Sequence, residues 1–237
     1  MAWAFGSFNT AGGGTGTTLA VTRPSSIASG DWQIMTFRLE VVGKTLAFTN
    51  GTWTLIRRDD VGTKYTGFVY VSRYAGEGTT FTISWDATSA WRSASIARYT
   101  GGASDSVPDT ADADGTGVPD DSLDTVVDFT GFTPASDNDL IWYAGNNFDG
   151  RSFGALTGTT PTLTERNEFD AQGFGDGNQT TAAAIGNRTS TMGGGGSPNL
   201  GQLFAFTLGG AAQDTPELRG RPHGLRGGLQ THQLLAH

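Results

Sequence analysis

"TTFTISW", residues 79–85, alternates without a break: Phe81, Ile83 and Trp85 fall on one side of an extended chain, and Thr80, Thr82 and Ser84 on the other. A segment of this kind is a β-strand with one face in a core and the other in water. "YTGFVYVSRY", residues 65–74, alternates in the same way. Around these strands the chain has 36 glycines, many Thr-rich alternating segments and very few helix-favouring runs. Glycine supplies positive φ at turns, and β-branched residues suit a pleated surface. The fold class is therefore all-β, with antiparallel half-buried strands.

A second phrase sets the organisation. "LAFTNGTWTLIRR" (46–58) returns in part as "GALTGTTPTLTER" (154–166), a shift of 108 residues that aligns Leu55 with Leu163 and Arg58 with Arg166 and puts Pro161 where Trp53 stands. The same shift places Asp31 on Asp139 and Gly101-Gly102 on Gly209-Gly210. Each half thus runs from an Asp opening an apolar strand ("DWQIMTF", "DLIWYAG"), through the Thr-Leu-x-x-Arg strand, to a closing strand and Gly-Gly ("RSASIARYTGG", "GQLFAFTLGG"). The expectation is one jelly-roll-like β-sandwich over residues 17–210, built from pseudo-repeats at about 28–102 and 136–210. The alternative is two small domains separating at residues 103–124. The single sandwich is preferred because the second half looks too poor in apolar residues to hold its own core. Leu55 and Leu163 are expected in that core and Arg58 and Arg166 at strand ends.

Residues 1–16 read as an N-terminal arm. Residues 103–124, with seven aspartates and no cation, read as an acidic surface loop bracketed by Pro108 and Pro119. Residues 211–237 carry all three histidines and no alternating strand, and read as a C-terminal tail; three arginines against Asp214 and Glu217 leave it at +1 and the rest of the chain at −9.

These totals exclude several classes of function. A formal charge of −8 with only two lysines (Lys44, Lys64) opposes nucleic-acid binding. No apolar run is long enough to cross a bilayer, and the N-terminus lacks the pattern of a secretory signal, so a soluble protein made and folded in the cytoplasm is expected. With no cysteine anywhere and no histidine before residue 223, the sandwich can build neither a Ser-His-Asp triad nor a His- or Cys-ligated metal. No cofactor and no catalytic residue are expected.

A carboxylate pair of the glycosidase kind is the chemistry that remains. Glu165 and Glu168 are the nearest approach to one, but their odd spacing puts them on opposite faces of a strand. Asp112, Asp114, Asp120 and Asp121 are the candidate calcium ligands. Thr110 stands where an EF-hand loop would open with Asp, and no Glu closes the loop, so a solvated acidic loop is preferred and no metal is assigned. Among the tryptophans, Trp32, Trp85 and Trp142 lie in strand patterns that need buried partners. Trp91, in the turn-like "SAWRS", is the candidate platform for a stacked sugar.

Four motifs occur in succession: "ASGD" (28–31), "GTWTLI" (51–56), "ARYTG" (97–101) and "LTER" (163–166). Together they resemble the β-sandwich structural proteins of tailed bacteriophages, of the minor tail or virion decoration type, over residues 15–210. That resemblance implies a non-enzymatic virion component, made in the host cytoplasm, that docks on capsid or tail subunits and repeats by symmetry as a homo-oligomer such as a trimer. In this reading Arg219, Arg221 and Arg226 of the tail are the partner-contact residues. The competing expectation is a carbohydrate-binding adhesion module that contacts glycans.

Overall fold

In the computed structural model, which describes residues 3–101, 115–134, 137 and 139–206, Phe81, Ile83 and Trp85 are buried while Thr80, Thr82 and Ser84 keep solvent contact. They belong to β7 (Thr80–Ser89), the middle strand of a three-stranded sheet between β2 (Gly16–Thr22) and β4 (Ala47–Phe48). This small sheet covers one face of a five-stranded sheet in the order β1 (Ala4–Gly13), β8 (Arg92–Thr100), β3 (Trp32–Leu39), β6 (Tyr65–Arg73), β5 (Thr54–Val61). Met35, Phe37 and Leu39 of β3, with Phe68 and Tyr70 of β6, meet Phe81, Ile83 and Trp85 between the layers.

The second half repeats this plan. Its large sheet has the order β12 (Thr164–Phe169), β13 (Gln172–Gln179), β11 (Asp139–Asn147), β15 (Ser197–Phe206), β9 (Thr116–Asp124). Its small sheet pairs β10 (Val126–Phe129) with β14 (Arg188–Thr191), and an isolated bridge from Phe153 to Met192 stands in the place of β4. Read along both sheets, β5, β6, β3, β8 and β1 correspond to β12, β13, β11, β15 and β9, and all named pairs are antiparallel.

The all-β antiparallel sandwich is thus present, but with four layers instead of two. Each half has its own core between a large and a small sheet. A third core, in which Trp3, Trp32, Ile34, Val71 and Tyr99 meet Leu140, Trp142, Phe174, Phe204 and Phe206, joins the two large sheets. The single two-sheet sandwich and the two separate domains are both replaced by two small sandwiches stacked through their large sheets. The cause is visible in β3 and β11, every residue of which is buried: a sheet covered on both faces has no polar side to show.

The segment expected as an N-terminal arm is largely a strand. Residues Ala4–Gly13 pair with β8 as β1, and Trp3 is 2% exposed in the joint core. A register shift between Phe5 and Ser7 breaks the alternation there, so Phe5 and Phe8 lie an odd number of residues apart and the strand is hidden in the sequence. Likewise the end of the expected acidic loop, Thr116–Asp124, is β9. Among the described residues it pairs with β15 alone, and an edge strand is where a sheet tolerates a proline such as Pro119.

Leu55 is 45% exposed rather than in the core. A register shift between Leu55 and Arg57 makes Ile56 the extra residue of a bulge, and Ile56 is the side chain that packs on the joint core. Leu163, just before β12, does pack on the core of the second half, partly buried. A matching shift lies between Glu165 and Asn167. When β3 is laid on β11 with Asp31 on Asp139, the pairing through β6 and β13 carries Leu55 onto Glu165, and the two bulges coincide. The identities Leu55/Leu163 and Arg58/Arg166 therefore lie two residues out of structural register. Arg58 and Arg166 are inside β5 and β12, not at their ends.

Candidate functional site

The joint between the large sheets is where the two halves bring polar groups together. Asp176, 3% exposed, accepts from Tyr99 Oη of the other half at 2.6 Å and from Arg166 Nε and Nη2 at 2.9 and 2.8 Å. The Arg166 guanidinium also lies 4.5 Å from the centre of the Phe5 ring. Burial, followed by the neighbouring Asp176, pushes the Tyr99 phenol well above its ordinary pKa, so it stays protonated and donates.

Further bonds cross the joint along its length. Tyr65 Oη donates to the Asn146 carbonyl at 3.0 Å, Arg38 Nη2 to the Phe148 carbonyl at 2.9 Å, and Arg57 Nη1 to the Gly115 carbonyl at 2.8 Å. Gln202 Nε2 donates to Asp59 Oδ2 at 2.7 Å and Asn178 Nδ2 to the Trp3 carbonyl at 3.1 Å. At the outer rim Trp91 Nε1 donates to Asp170 Oδ2 at 2.6 Å. No family model, curated protein or solved structure matches the chain. Its function must be read from this geometry.

Arginines serve the same binding role within each half. Arg23 donates to the carbonyls of Gly78 and Asn50 and to Gln33 Oε1, and Arg188 to those of Thr157, Gly158 and Pro161. Burial lowers the pKa of both, with the charge of Glu77 opposing it for Arg23. Each is a buried clasp on loop backbone that would otherwise be unpaired.

Asp31 and Asp139 open equivalent central strands. Asp31 Oδ2 accepts from the Ala28 amide at 2.8 Å and from Arg98 Nε at 2.6 Å, tying the turn before β3 to β8, and Asp139 is fully buried at the start of β11. Trp32, Trp85 and Trp142 are buried, and Trp91 is 37% exposed. Asp120 and Asp121 lie on β9, where Asp120 Oδ1 accepts from the Ser122 amide and Asp121 abuts Gly62 of the β5–β6 turn. Asp112 and Asp114 fall outside the described residues, as do Arg219, Arg221 and Arg226. Among the described residues no three His, Cys, Asp or Glu side chains are grouped to hold a metal, and no helix is long and apolar enough to cross a membrane.

Glu165 and Glu168 share a face, contrary to their odd spacing, because the bulge at Arg166 adds a residue between them: Glu165 pairs with Gly175 and Glu168 with Gly173. Burial first, and then the charge of Glu168, raises the Glu165 pKa. A carboxyl whose folded pKa lies above its unfolded one weakens the fold as pH rises through that interval, and the penalty persists above it. Glu165→Gln is therefore expected to raise Tm at pH 7 by on the order of 1 °C and to have no effect below about pH 4. Thermal melts of both proteins across pH check this.

A cleft of about 540 Å³ lies over the paired ends of β4 and β7, lined by Thr45, Leu46, Ala47, Ser84, Trp85 and Asp86. Lys44 Nζ closes one side by pairing with Asp86 at 3.2 Å.

Proposed function

We propose that the protein is a non-enzymatic structural component of a tailed-phage virion, a head decoration or minor tail protein that docks on neighbouring capsid or tail subunits. The observation that carries this reading is the joint. Apolar burial and hydrogen bonds spread over its whole length fuse two sandwiches into one stiff body, the mechanical property that a repeated shell or tail element needs. The residues behind the phage resemblance serve the same end: Asp31 ties β3 to β8, Trp53 and Ile56 pack on cores, and Tyr99 crosses the joint.

Docking through the C-terminal tail, with Arg219, Arg221 and Arg226 against acidic neighbours, agrees with the surface of the body. Among the described residues its exposed large apolar side chains are Phe8 on β1, Leu55 on β5, Leu123 on β9 and Trp91 in the β7–β8 turn, separate segments of the chain. Fractionated particles analysed by mass spectrometry should contain the chain at a copy number set by the particle's symmetry. Deleting residues 211–237 should abolish incorporation while the Tm of the purified protein stays within about 2 °C of the intact chain. Full incorporation of the truncated chain would overturn the tail as the docking element, and absence from particles would overturn the virion reading.

The second reading, a carbohydrate-binding module on a tail or cell surface, is favoured by one observation, the solvent-facing ring of Trp91.

A further inference from the structure

Trp91 lies in the turn between β7 and β8 of the first half, yet its indole is fixed by the second half. Its Nε1 donates to Oδ2 of Asp170, 79 residues away. Asp170 and Ala171 form the two-residue turn of the β12–β13 hairpin with φ of 51° and 67°, left-handed values that suit Gly or Asn and are costly for Ala. Two contacts from the first half hold the turn, the Trp91 bond and Ser93 Oγ to the Asp170 carbonyl at 3.4 Å, and within the second half the Asn147 amide at the end of β11 donates to the Ala171 carbonyl at 2.9 Å. Backbone strain maintained by surrounding contacts concentrates where a side chain must be aimed.

The indole and the Asp170 turn pack on glycine backbone. A Cβ on Gly12 would stand 2.8 Å from Asp170 Oδ2 and 3.1 Å from the Phe169 ring, and one on Gly14 would stand 3.8 Å from Trp91 Cζ3. Side chains at these positions would displace the carboxylate or lie against the indole. The glycine run "AGGG" (11–14) thus lets the Phe169 ring and the Asp170 carboxylate close directly onto β1, which sets the aromatic ring of Trp91 and a carboxylate side by side at the rim.

We propose that this rim binds a neutral hexose residue, one pyranose ring stacking on Trp91 and a hydroxyl donating to Asp170. The inference rests on the second reading above and gives it a site. The apolar face of a pyranose carries polarised C–H bonds that suit the negative face of an indole. A carboxylate accepts from hydroxyls, and among the described residues Trp91 Nε1 donates to Oδ2 of Asp170, leaving Oδ1 to accept. The formal charge of −8 and the Asp170 carboxylate disfavour phosphorylated or acidic ligands. A protein partner would use Trp91 as the centre of a wider apolar patch, and the other exposed apolar side chains lie on other elements.

The test is intrinsic tryptophan fluorescence of the full chain titrated with methyl glucopyranoside, methyl galactopyranoside, methyl mannopyranoside and their 2-acetamido counterparts. A ligand of one ring has little surface to bury, so at least one probe should give a saturable change with Kd on the order of 1 mM. Trp91→Ala should weaken it at least tenfold, measured by calorimetry because that variant removes the reporter, with Tm nearly unchanged. Trp91→Phe should retain part of the affinity, and Asp170→Asn should lose part. Saturable binding that is equal in Trp91→Ala and the unmodified protein would overturn the site while leaving the carbohydrate reading standing. No binding of any probe up to about 50 mM would overturn both.

Discussion

Trp142→Ala is expected to cost about 3–5 kcal/mol, the range for emptying a fully buried large aromatic site, and to lower Tm by roughly 10 °C in a chain of this size. Trp142 is 0% exposed in the middle of β11, stacked on Phe174 at 5.8 Å and tilted against Phe204 at 6.0 Å, with the first half's large sheet on its other side. The shape of the transition is as informative as its midpoint. Among the described residues the core of the first half holds thirteen buried apolar residues and that of the second seven. A loosened joint leaves the second half with little of its own, so a single denaturant transition should divide in two, with the second half unfolding first. Near-ultraviolet circular dichroism and hydrogen exchange across residues 115–206 would follow the weaker half. A single transition shifted by less than about 1 kcal/mol would mean that the joint is not a cooperative part of the fold.

The sequence made the first half legible and the second obscure for a physical reason. In the first, Phe37, Phe68 and Tyr70 project from β3 and β6 into the core, and the alternation announces them. At the equivalent positions of the second stand Gly145, Gly173 and Gly175. The space above two of these is filled from outside the strands by Phe153, whose ring lies 3.0 Å from where a Cβ on Gly145 or Gly173 would be. Apolar bulk has moved from strand to loop, so the strands lose their pattern while the layer keeps its packing. What looks like decay of the repeat is a relocation of volume.

Bulges account for most of the remaining differences. Period-two reading assumes an unbroken ladder, and one extra residue inverts the faces after it. That inversion exposed Leu55, brought Ile56 inward, placed Glu165 beside Glu168 and hid β1 behind its Gly6 irregularity. The candidate rim was half legible. Trp91 stood out as a tryptophan in a turn, but Asp170 had no local signal, because its role depends on how the two halves stack.

Asp176 offers the other large effect, since one carboxylate takes Tyr99 of the facing half and Arg166 of its own. Asp176→Ala would leave the Tyr99 hydroxyl, on a side chain that is 0% exposed, without its acceptor and would remove the anion facing Arg166. Removing one partner from a buried charged cluster typically costs about 3–5 kcal/mol, mostly the penalty of stranding the group left behind. Tyr99→Phe removes a donor but leaves Asp176 bonded to Arg166, so about 1.5–3 kcal/mol is expected from it. Because both substitutions disrupt the same bond, the double variant should cost clearly less than the sum of the two, with a coupling on the order of 1–2 kcal/mol. Added salt should change little, because Asp176 is 3% exposed and the pair is poorly screened. Equilibrium urea unfolding of the four proteins at low and high ionic strength measures all of this. If the single substitutions add without coupling, Tyr99 and Asp176 do not act as one latch, and the halves are held by apolar burial and the other bonds across the joint.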